Sequence, residues 1–211
     1  MSNTTPNYDA DAVEIIDVKT GYKGFFRLSV LTLKHKLFNG GWSKPIQREL
    51  LERGDAAGVL LYDPARDEVG LVEQFRVGAM ARNQGPWMVE VIAGMMNNDD
   101  DAAEVAAREA KEEADVDIDA KSLMPITTYY VSPGGVDERF SLFCGLCDLS
   151  KVSGVHGLEH EGEDIRVVKM SFDEAMRGLA NGQLDNASTI ICLQWLQINR
   201  SSLRHESKIH S

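Results

Sequence analysis

Residues 94–116 read GMMNNDDDAAEVAAREAKEEADV, and most of this stretch has the pattern of one helix. Asp101 is followed three residues later by Glu104, a pair that has the form of a capping box and is typical of the start of a helix. The pattern predicts a helix over 102–114, with a small apolar face formed by alanines at positions 103, 106, 110 and 114.

The same helix carries Glu109, Glu112 and Glu113 within an arc of about 100°. Carboxylates this close repel one another, and on a helix packed against a sheet they favour a nearby cation. Hard oxygen ligands at this density suit Mg²⁺ or Mn²⁺, which keep water ligands and gather phosphate oxygens. The alternative is a solvated acidic face stabilised by the helix N-terminus, which is the more common origin of acidic runs on helices.

Strands and further helices are predicted on both sides of this helix. Two apolar runs, Ala57–Asp63 and Glu68–Phe75, are joined by the turn sequence PARD and predict a hairpin. The other predicted elements are two or three strands over 13–39, a strand over Trp87–Ala93 broken at Gly94, strands over Pro125–Val131, Phe140–Cys147 and Ile165–Met170, a helix after Ser171 with a capping box completed by Glu174, and a last helix over Ala187–Gln197 capped by Asn186. Long helices among such strands predict an α/β layered sandwich.

The length of 211 residues suits one substantial domain with an appendage. We expect a small β-rich N-terminal appendage over 1–54, a main domain over 55–200 and a flexible polar tail over 201–211.

Composition excludes several classes of protein. The chain has 33 acidic and 22 basic residues, a net charge of −11, and nucleic acid is not an expected partner because its binding relies on a cationic face. No stretch approaches about 18 uninterrupted apolar residues, so no membrane partner is expected. The polar N-terminus lacks the pattern of a secretory signal, and three cysteines suit a reducing compartment, so we expect a cytoplasmic protein.

The acidic helix is part of a longer pattern. Gly94, Asp100 and the run REAKEEADV over 108–116 resemble the Nudix box, which has a glycine, five residues, a glutamate, seven residues, Arg-Glu, an aliphatic residue, any residue, Glu-Glu, any residue, a glycine and an aliphatic residue. Asp100 stands where the family usually has glutamate, and Asp115 stands where it has glycine. Aspartate tolerates a left-handed helix C-cap better than most residues, so a modest stability cost is expected at Asp115.

The flanking segments extend the resemblance from about residue 13 to residue 198 and bring it closest to bacterial ADP-ribose pyrophosphatases. The runs that match this subfamily in order include GYKGFF (21–26), VEQFR (72–76), SPGG (132–135) and DNASTIICLQWLQI (185–198). The resemblance implies a Nudix-type α/β/α sandwich with a mixed sheet.

By this resemblance, Arg108 orients a glutamate of a metal site whose ligands are the backbone carbonyl of Ala93 and the carboxylates of Glu109, Glu112, Glu113 and Glu163. The general base comes from an acidic, glycine-containing loop, and we favour Glu161 over Glu163 for this role. The alternative for this loop is a flexible acidic surface segment.

The substrate contacts implied by the resemblance are Phe25, Arg48, Arg76 and Ser132. The planar guanidinium groups of the two arginines suit phosphate and ribose oxygens, and Phe25 matches the aromatic side chain that flanks adenine. Taken without the resemblance, each arginine is more typical of a surface cation and Phe25 of a core residue.

The implied activity is Mg²⁺-dependent hydrolysis of the pyrophosphate bond of ADP-ribose to AMP and ribose 5-phosphate, with Mn²⁺ as the other candidate cofactor. A homodimer is expected, since 13–37 is too apolar for a free tail and too short for an independent domain, and the resembling family is dimeric. Two alternatives stay open: another nucleoside diphosphate sugar as substrate, or a non-catalytic ligand-sensing module, which the departures at Asp100 and Asp115 suggest.

Overall fold

A computed structural model describes residues 8–81, 85–158, 160 and 162–209. They form two compact units. The first comprises the chain up to Gly54 together with Tyr130–Glu138, and the second comprises Asp55–Tyr129 together with the chain from Arg139 onward. The assignment of 1–54 as a functional appendage stays a prediction.

The first unit is built on an antiparallel sheet in the order β1-β2-β3. The first two strands, β1 (Val13–Lys23) and β2 (Arg27–His35), account for the β-rich segment predicted over 13–39. The third strand, β3 (Ile46–Glu52), is absent from the prediction because its run IQRELLE lacks a regular alternation of apolar and polar residues.

The segment Tyr130–Glu138 joins the first unit through β3. The backbone N–H of Leu51 donates to the carbonyl of Gly135 at 2.8 Å, and the N–H of Asp137 donates back to the carbonyl of Leu51 at 3.3 Å. The turn that begins at Ser132 is closed by two N–H groups, those of Gly135 and Val136, which donate to its carbonyl at 3.1 and 3.0 Å.

The second unit contains an eight-stranded sheet in the order β10-β11-β5-β4-β9-β8, with β6 paired to β5 and β7 paired to β4. Its strands are β4 (Ala56–Asp63), β5 (Glu68–Phe75), β6 (Trp87–Glu90), β7 (Ile92–Met95), β8 (Met124–Tyr130), β9 (Arg139–Leu146), β10 (Val155–His156) and β11 (Ile165–Ser171). Because β4 and β9 run parallel and β4 and β5 run antiparallel, the sheet is mixed, as predicted.

The predicted hairpin of β4 and β5 is confirmed, but the two strands pair only over Leu61–Asp63. The first half of β4 pairs with β7 instead, while β6 pairs with β5. The single strand predicted over Trp87–Ala93 is therefore two strands that divide at Val91, because its two halves have different partners. Glu90, at the end of β6, and Ala93, near the start of β7, therefore lie where β4 and β5 diverge from each other.

One face of this sheet is covered by α1 (Ala102–Ala114), whose bounds agree with the prediction. The Asp101 carboxylate accepts hydrogen bonds from the N–H groups of Ala103 and Glu104 at 2.9 and 3.1 Å, which satisfies two donors of the first turn. The alanine face packs against apolar side chains of the sheet that include Val59, Leu61, Val72 and Ile92.

The opposite face is covered by α2 (Phe172–Ala180) and α3 (Ala187–Ile209). The capping box of Ser171 and Glu174 is complete, as predicted. Side chains of these helices, including Ala175, Leu193 and Leu196, share a buried cluster with sheet residues such as Leu60, Tyr62 and Leu71. The α/β/α sandwich is thereby confirmed.

The predicted end of the last helix is wrong. The helix was expected over Ala187–Gln197, followed by a flexible tail from 201, but α3 continues to Ile209. Leu203 is buried in the core, and Arg200 and Arg204 both bond to Asp67, so tertiary contacts hold a segment whose composition is mostly polar. Within the described ranges, no helix has the length and apolar character of a membrane-spanning segment.

Candidate metal and substrate site

Two carboxylates of α1 point into the second unit rather than to solvent. Glu109 and Glu113 are only 8 % and 2 % exposed. The backbone N–H of Ala93 donates to Oε2 of Glu113 at 3.3 Å, so the start of β7 lies directly beside the acidic face of the helix. Buried carboxylates are rare unless they are paired or bind a cation, so this face does not have the character of a solvated surface.

The pKa of Glu113 reports the same crowding. Burial, and then the negative charge of Glu109, raise the pKa of Glu113 to about 8. Glu163 adds to this rise, whereas the bond from Ala93 and the positive charge of Arg76 oppose it. A positive charge placed between these carboxylates would restore ionisation, which is the property expected of a cation site.

Arg108 contacts two glutamates of the same helix, Glu109 and Glu112. Its two terminal nitrogens lie 2.8 Å from Oε1 of Glu109 and 3.2 Å from Oε2 of Glu112. The arginine therefore restrains both side chains, while its role in orienting a metal ligand stays a prediction. Glu112 is more exposed than its neighbours, with 27 % of its side chain accessible.

Gly94 leaves room for the Glu109 carboxylate. A Cβ atom at position 94 would lie 1.9 Å from Oε1 and 2.1 Å from Cδ of Glu109, well inside van der Waals contact. The glycine of the sequence motif thus has a steric reason that sequence reasoning missed, since it depends on a helix that follows eight residues later.

The two departures from the motif both have structural roles. Asp115 adopts the left-handed conformation predicted for it, with φ 53° and ψ 34°, and its carboxylate pairs with Lys111 at 2.7 Å. Asp100 accepts hydrogen bonds from the backbone and side-chain nitrogens of Asn97 at 2.8 and 3.1 Å. It therefore stabilises the turn that leads into α1.

Arg76, predicted as a substrate-binding residue, follows β5 at this same end of the sheet. Its Nε donates to Oε1 of Glu90 at 2.6 Å, and Glu90 also accepts from Asn186. Glu90 was not singled out from the sequence, although an acidic residue closing the apolar run WMVE was a usable signal. Gln74 is also buried here, and its Nε2 has no hydrogen-bond partner among the described residues.

The acidic loop places Glu163 near α1. Oε2 of Glu163 accepts from the N–H of Leu158 at 3.0 Å, and the N–H of Gly157 donates to the Glu112 carbonyl at 3.3 Å. Gly157 has a φ of 103°, and a Cβ there would lie 2.8 Å from Cβ of Glu163, so only glycine fits this approach. The predicted base, Glu161, lies outside the described residues.

The remaining predicted substrate residues belong to the first unit. Phe25 lies in the turn between β1 and β2, is 85 % exposed, and meets Phe26 edge to face at 4.9 Å. Arg48 lies on β3, where its Nη1 donates to the Gln47 carbonyl at 2.8 Å. Ser132 begins the turn that is bonded to β3. Because Phe25 is exposed, the alternative that it is a core residue is wrong.

The pair Cys144 and Cys147 has the spacing of a redox or zinc motif, yet burial raises the pKa of both thiols to about 12. Both are free thiols. Thiols that stay protonated at neutral pH are poor nucleophiles and poor metal ligands, so this pair is structural.

The donor set of the α1 face fits a hard divalent cation. In the described part of the chain no three His, Cys, Asp or Glu side chains are arranged closely enough to hold a metal by themselves. Mg²⁺ does not need such a cage, because it commonly binds through one or two carboxylates and completes its shell with water and substrate phosphates. Glu109 and Glu113, with the space that Gly94 leaves, meet this requirement.

Comparison with known proteins agrees with this geometry. The sequence profile of the NUDIX domain matches residues 52–190. The chain belongs to the NUDIX family. Members of this family generally require a divalent metal, in agreement with the buried carboxylate pair.

Among curated relatives, the NUDIX chain is 42 % identical over 204 residues to the ADP-ribose pyrophosphatase of Escherichia coli strain K12, which covers 97 % of both chains. It is 40 % identical to the ADP-ribose pyrophosphatase of Haemophilus influenzae, over 96 % of this chain and 94 % of that protein. A GDP-mannose pyrophosphatase of Cronobacter sakazakii is 37 % identical over 72 % of this chain and 78 % of its own length.

The fold is shared with a solved structure described as an ADP compounds hydrolase. The TM-score is 0.61 at 19 % identity, and the match covers 88 % of this NUDIX chain and 94 % of that one.

Proposed function

We propose that this protein hydrolyses the pyrophosphate bond of ADP-ribose to AMP and ribose 5-phosphate, with Mg²⁺ as the cofactor and Mn²⁺ as a substitute. The observation that carries the proposal is the buried pair Glu109 and Glu113, which lies beside Ala93 and within the electrostatic reach of Arg76. The names of the relatives that are 40–42 % identical over nearly the whole chain support ADP-ribose as the substrate.

In this proposal the cation would be held by the Ala93 carbonyl and by the carboxylates of Glu109, Glu112, Glu113 and Glu163. When bound, it would neutralise charge on the pyrophosphate oxygens and acidify a water molecule. Arg76 binds a phosphate oxygen, while Phe25, Arg48 and Ser132 contact the nucleoside and ribose parts of the substrate. Glu161 accepts the proton of the attacking water, since the helix glutamates are engaged as ligands.

The first experiment replaces the most buried ligand. Glu113→Gln keeps the size of the side chain but loses its charge, so we expect kcat to fall well below a tenth of the wild-type value. This corresponds to an activation free energy that is higher by more than about 1.4 kcal/mol. Glu104→Gln is the matched control, because Glu104 is an exposed glutamate on the same helix. Full activity in Glu113→Gln, with product AMP scored by chromatography, would contradict the metal site.

The second experiment separates the two loop glutamates. Loss of a general base typically costs about 10²–10⁴-fold in rate, so Glu161→Gln should lower kcat by at least about 100-fold with little change in the Kd of ADP-ribose. Glu163→Gln should mainly raise the Mg²⁺ concentration needed for turnover. Single-turnover kinetics across a Mg²⁺ series decide the matter, and an active Glu161→Gln beside an inactive Glu163→Gln would show that the roles are reversed.

A second candidate substrate is another nucleoside diphosphate sugar, which the 37 % identity to a GDP-mannose pyrophosphatase favours. A panel of ADP-ribose, ADP-sugars and GDP-mannose with Mg²⁺, compared by kcat/KM, distinguishes these substrates. Rapid product release with any of them also excludes a module that senses a ligand without turnover.

We further propose that the protein is a cytoplasmic homodimer in which each active site uses Phe25 of the other copy. Exposed apolar side chains on and beside β1 support an association surface in the first unit, and exposed Ile198 supports one on α3. The three free thiols suit a reducing compartment.

A further inference from the structure

Arg76 is held by a carboxylate that is almost wholly buried. The Nε of Arg76 donates to Oε1 of Glu90 at 2.6 Å, and the Glu90 side chain is only 5 % exposed. The terminal nitrogens of Arg76 have no hydrogen-bond partner among the residues that the structure describes, and 43 % of the side chain is open to solvent. One edge of the guanidinium is thus anchored, while its terminal N–H groups are available to bind two oxygen atoms.

The second oxygen of Glu90 is engaged from the other side. Nδ2 of Asn186 donates to Oε2 of Glu90 at 2.9 Å. The amide of Asn186 cannot turn around, because its Oδ1 caps α3 by accepting from the N–H of Thr189 at 3.2 Å and from the Ser188 hydroxyl. The first turn of α3 is itself fixed to the sheet, since the N–H of Val91 donates to Oγ1 of Thr189 at 3.0 Å.

Glu90 therefore faces two groups, Arg76 and Asn186, that can only donate hydrogen bonds to it. A carboxylate has an acceptor oxygen for each of them, whereas an amide of the same shape has one acceptor and one donor. Glu90 ends β6 and lies three residues before Ala93, whose N–H donates to Oε2 of Glu113 at 3.3 Å, so the anchored guanidinium lies near the carboxylate face of α1. In the proposed function the pyrophosphate binds beside this face, next to the anchored arginine.

We infer that Glu90 is a positioning residue that aims Arg76 at a phosphate oxygen of the substrate, and that Asn186, the N-cap of α3, holds Glu90 in this role. The inference rests on the proposed function, in which Arg76 binds the pyrophosphate. It links the C-terminal helix, on one face of the sheet, to substrate binding beside α1 on the other.

The test measures kcat and KM for ADP-ribose at saturating Mg²⁺. We expect Glu90→Gln to raise KM about tenfold while kcat stays within about threefold, because one of two fixed donors meets an amide N–H. Arg76→Ala should raise KM at least as much, and the double variant Arg76→Ala/Glu90→Gln should equal Arg76→Ala alone. Glu73→Gln is the matched control, since Glu73 lies on β5, the strand that leads to Arg76, and accepts an exposed hydrogen bond from Arg166, so its KM should be unchanged.

A designed reversal of polarity provides a rescue. Adding Asn186→Asp to Glu90→Gln lets the new amide accept from Arg76 and donate to the new carboxylate, whose other oxygen still caps α3. We expect KM to return to within about threefold of the wild-type value. Loss of packing alone would not be reversed by a second substitution that changes no volume.

If Glu90→Gln does not fold, as judged by thermal unfolding, Asn186→Ser replaces it. Serine keeps the helix cap but removes the donor to Glu90, so KM should still rise with kcat unchanged.

The failures are distinguishable. An unchanged KM in Arg76→Ala overturns both the proposed substrate contact and the inference. A raised KM in Arg76→Ala beside an unchanged KM in Glu90→Gln or its substitute, additive effects in the double variant, or no rescue by Asn186→Asp, overturn the inference alone.

Discussion

At the scale of single residues, the candidate site depends on a glycine, because a side chain at this position would overlap a buried carboxylate. Gly94 lies before α1, and its missing Cβ is the space that the Glu109 carboxylate occupies. The backbone there needs no unusual conformation, so the requirement for glycine comes from the close approach of the helix.

We predict that Gly94→Ala inactivates the enzyme while the protein stays folded. The added Cβ would overlap Oε1 of Glu109 and force this carboxylate away from the metal site, so kcat should fall at least about 100-fold and the Mg²⁺ requirement should rise. Steady-state rates across a Mg²⁺ titration check the change, and circular dichroism checks the fold.

Gly78→Ala is the control for this substitution, because a Cβ at position 78 would meet none of the described atoms within 4 Å. Wild-type kinetics in both variants would show that Glu109 is not confined by the absence of a side chain at Gly94.

At the scale of elements, the C-terminal helix is fastened to the turn between β4 and β5. Asp67 lies in that turn with a φ of 60°, and its carboxylate accepts from Nε of Arg200 at 2.7 Å, from Arg204 at 2.6 Å and from the Tyr62 hydroxyl at 2.8 Å. The guanidinium of Arg200 also stacks over the ring of Phe172 at 4.3 Å. These contacts explain why α3 continues past the end that its apolar pattern predicts.

We predict that Asp67→Asn lowers the free energy of unfolding by about 1–3 kcal/mol at pH 7, because asparagine tolerates the left-handed backbone but loses the charged hydrogen bonds. The hydrogen bond from Arg200 is the largest cause of the lowered pKa of Asp67. A carboxyl with a lowered pKa stabilises the fold above its unfolded value of about 4, and this stability is lost as the pH falls through the folded value.

The difference between wild type and Asp67→Asn in urea unfolding should therefore be full at pH 7 and shrink below about pH 4. Asp17→Asn serves as the control, since Asp17 pairs with Lys19 at 3.5 Å on the surface and should contribute less than about 0.5 kcal/mol. A difference for Asp67→Asn that does not change with pH would contradict the electrostatic account.

At the scale of the whole molecule, the first unit carries a group of large apolar side chains that are open to solvent. Ile15, Ile16, Val18 and Tyr22 on the outer strand β1 are all exposed, and the turn after it carries Phe25. An outer strand with exposed apolar side chains is typical of a surface that another chain covers.

We predict a dimer of about 47 kDa at micromolar concentration in sedimentation velocity, twice the chain mass of 23.3 kDa. Ile16→Glu, which places a charge on this strand, should shift the population toward the monomer, whereas Thr20→Glu tests the same charge at a polar position of the same strand. If the wild type sediments only as a 23 kDa species, the homodimer prediction is wrong, and so is the proposal that each active site uses Phe25 of the other copy.

Features that depend on neighbours a few residues apart could be predicted from the amino-acid sequence. The bounds of α1, the caps at Asp101 and Ser171 and the left-handed Asp115 all follow from local periodicity and capping chemistry. The motif also predicts that Glu109 and Glu113 share one helix face, since their spacing matches the helical repeat, and both carboxylates are buried there.

Contacts between groups that are distant in the chain could not be predicted from the sequence, because they depend on how the elements pack. Glu90 and Asn186 are 96 positions apart, and Asp67 and Arg200 are 133 apart, so no local pattern relates them. The division of one predicted strand into β6 and β7, and the length of α3, depend in the same way on partners elsewhere in the chain. Local patterns report the conformational preferences of a segment, whereas the packing of the sheet between its helices selects the contacts that complete the site.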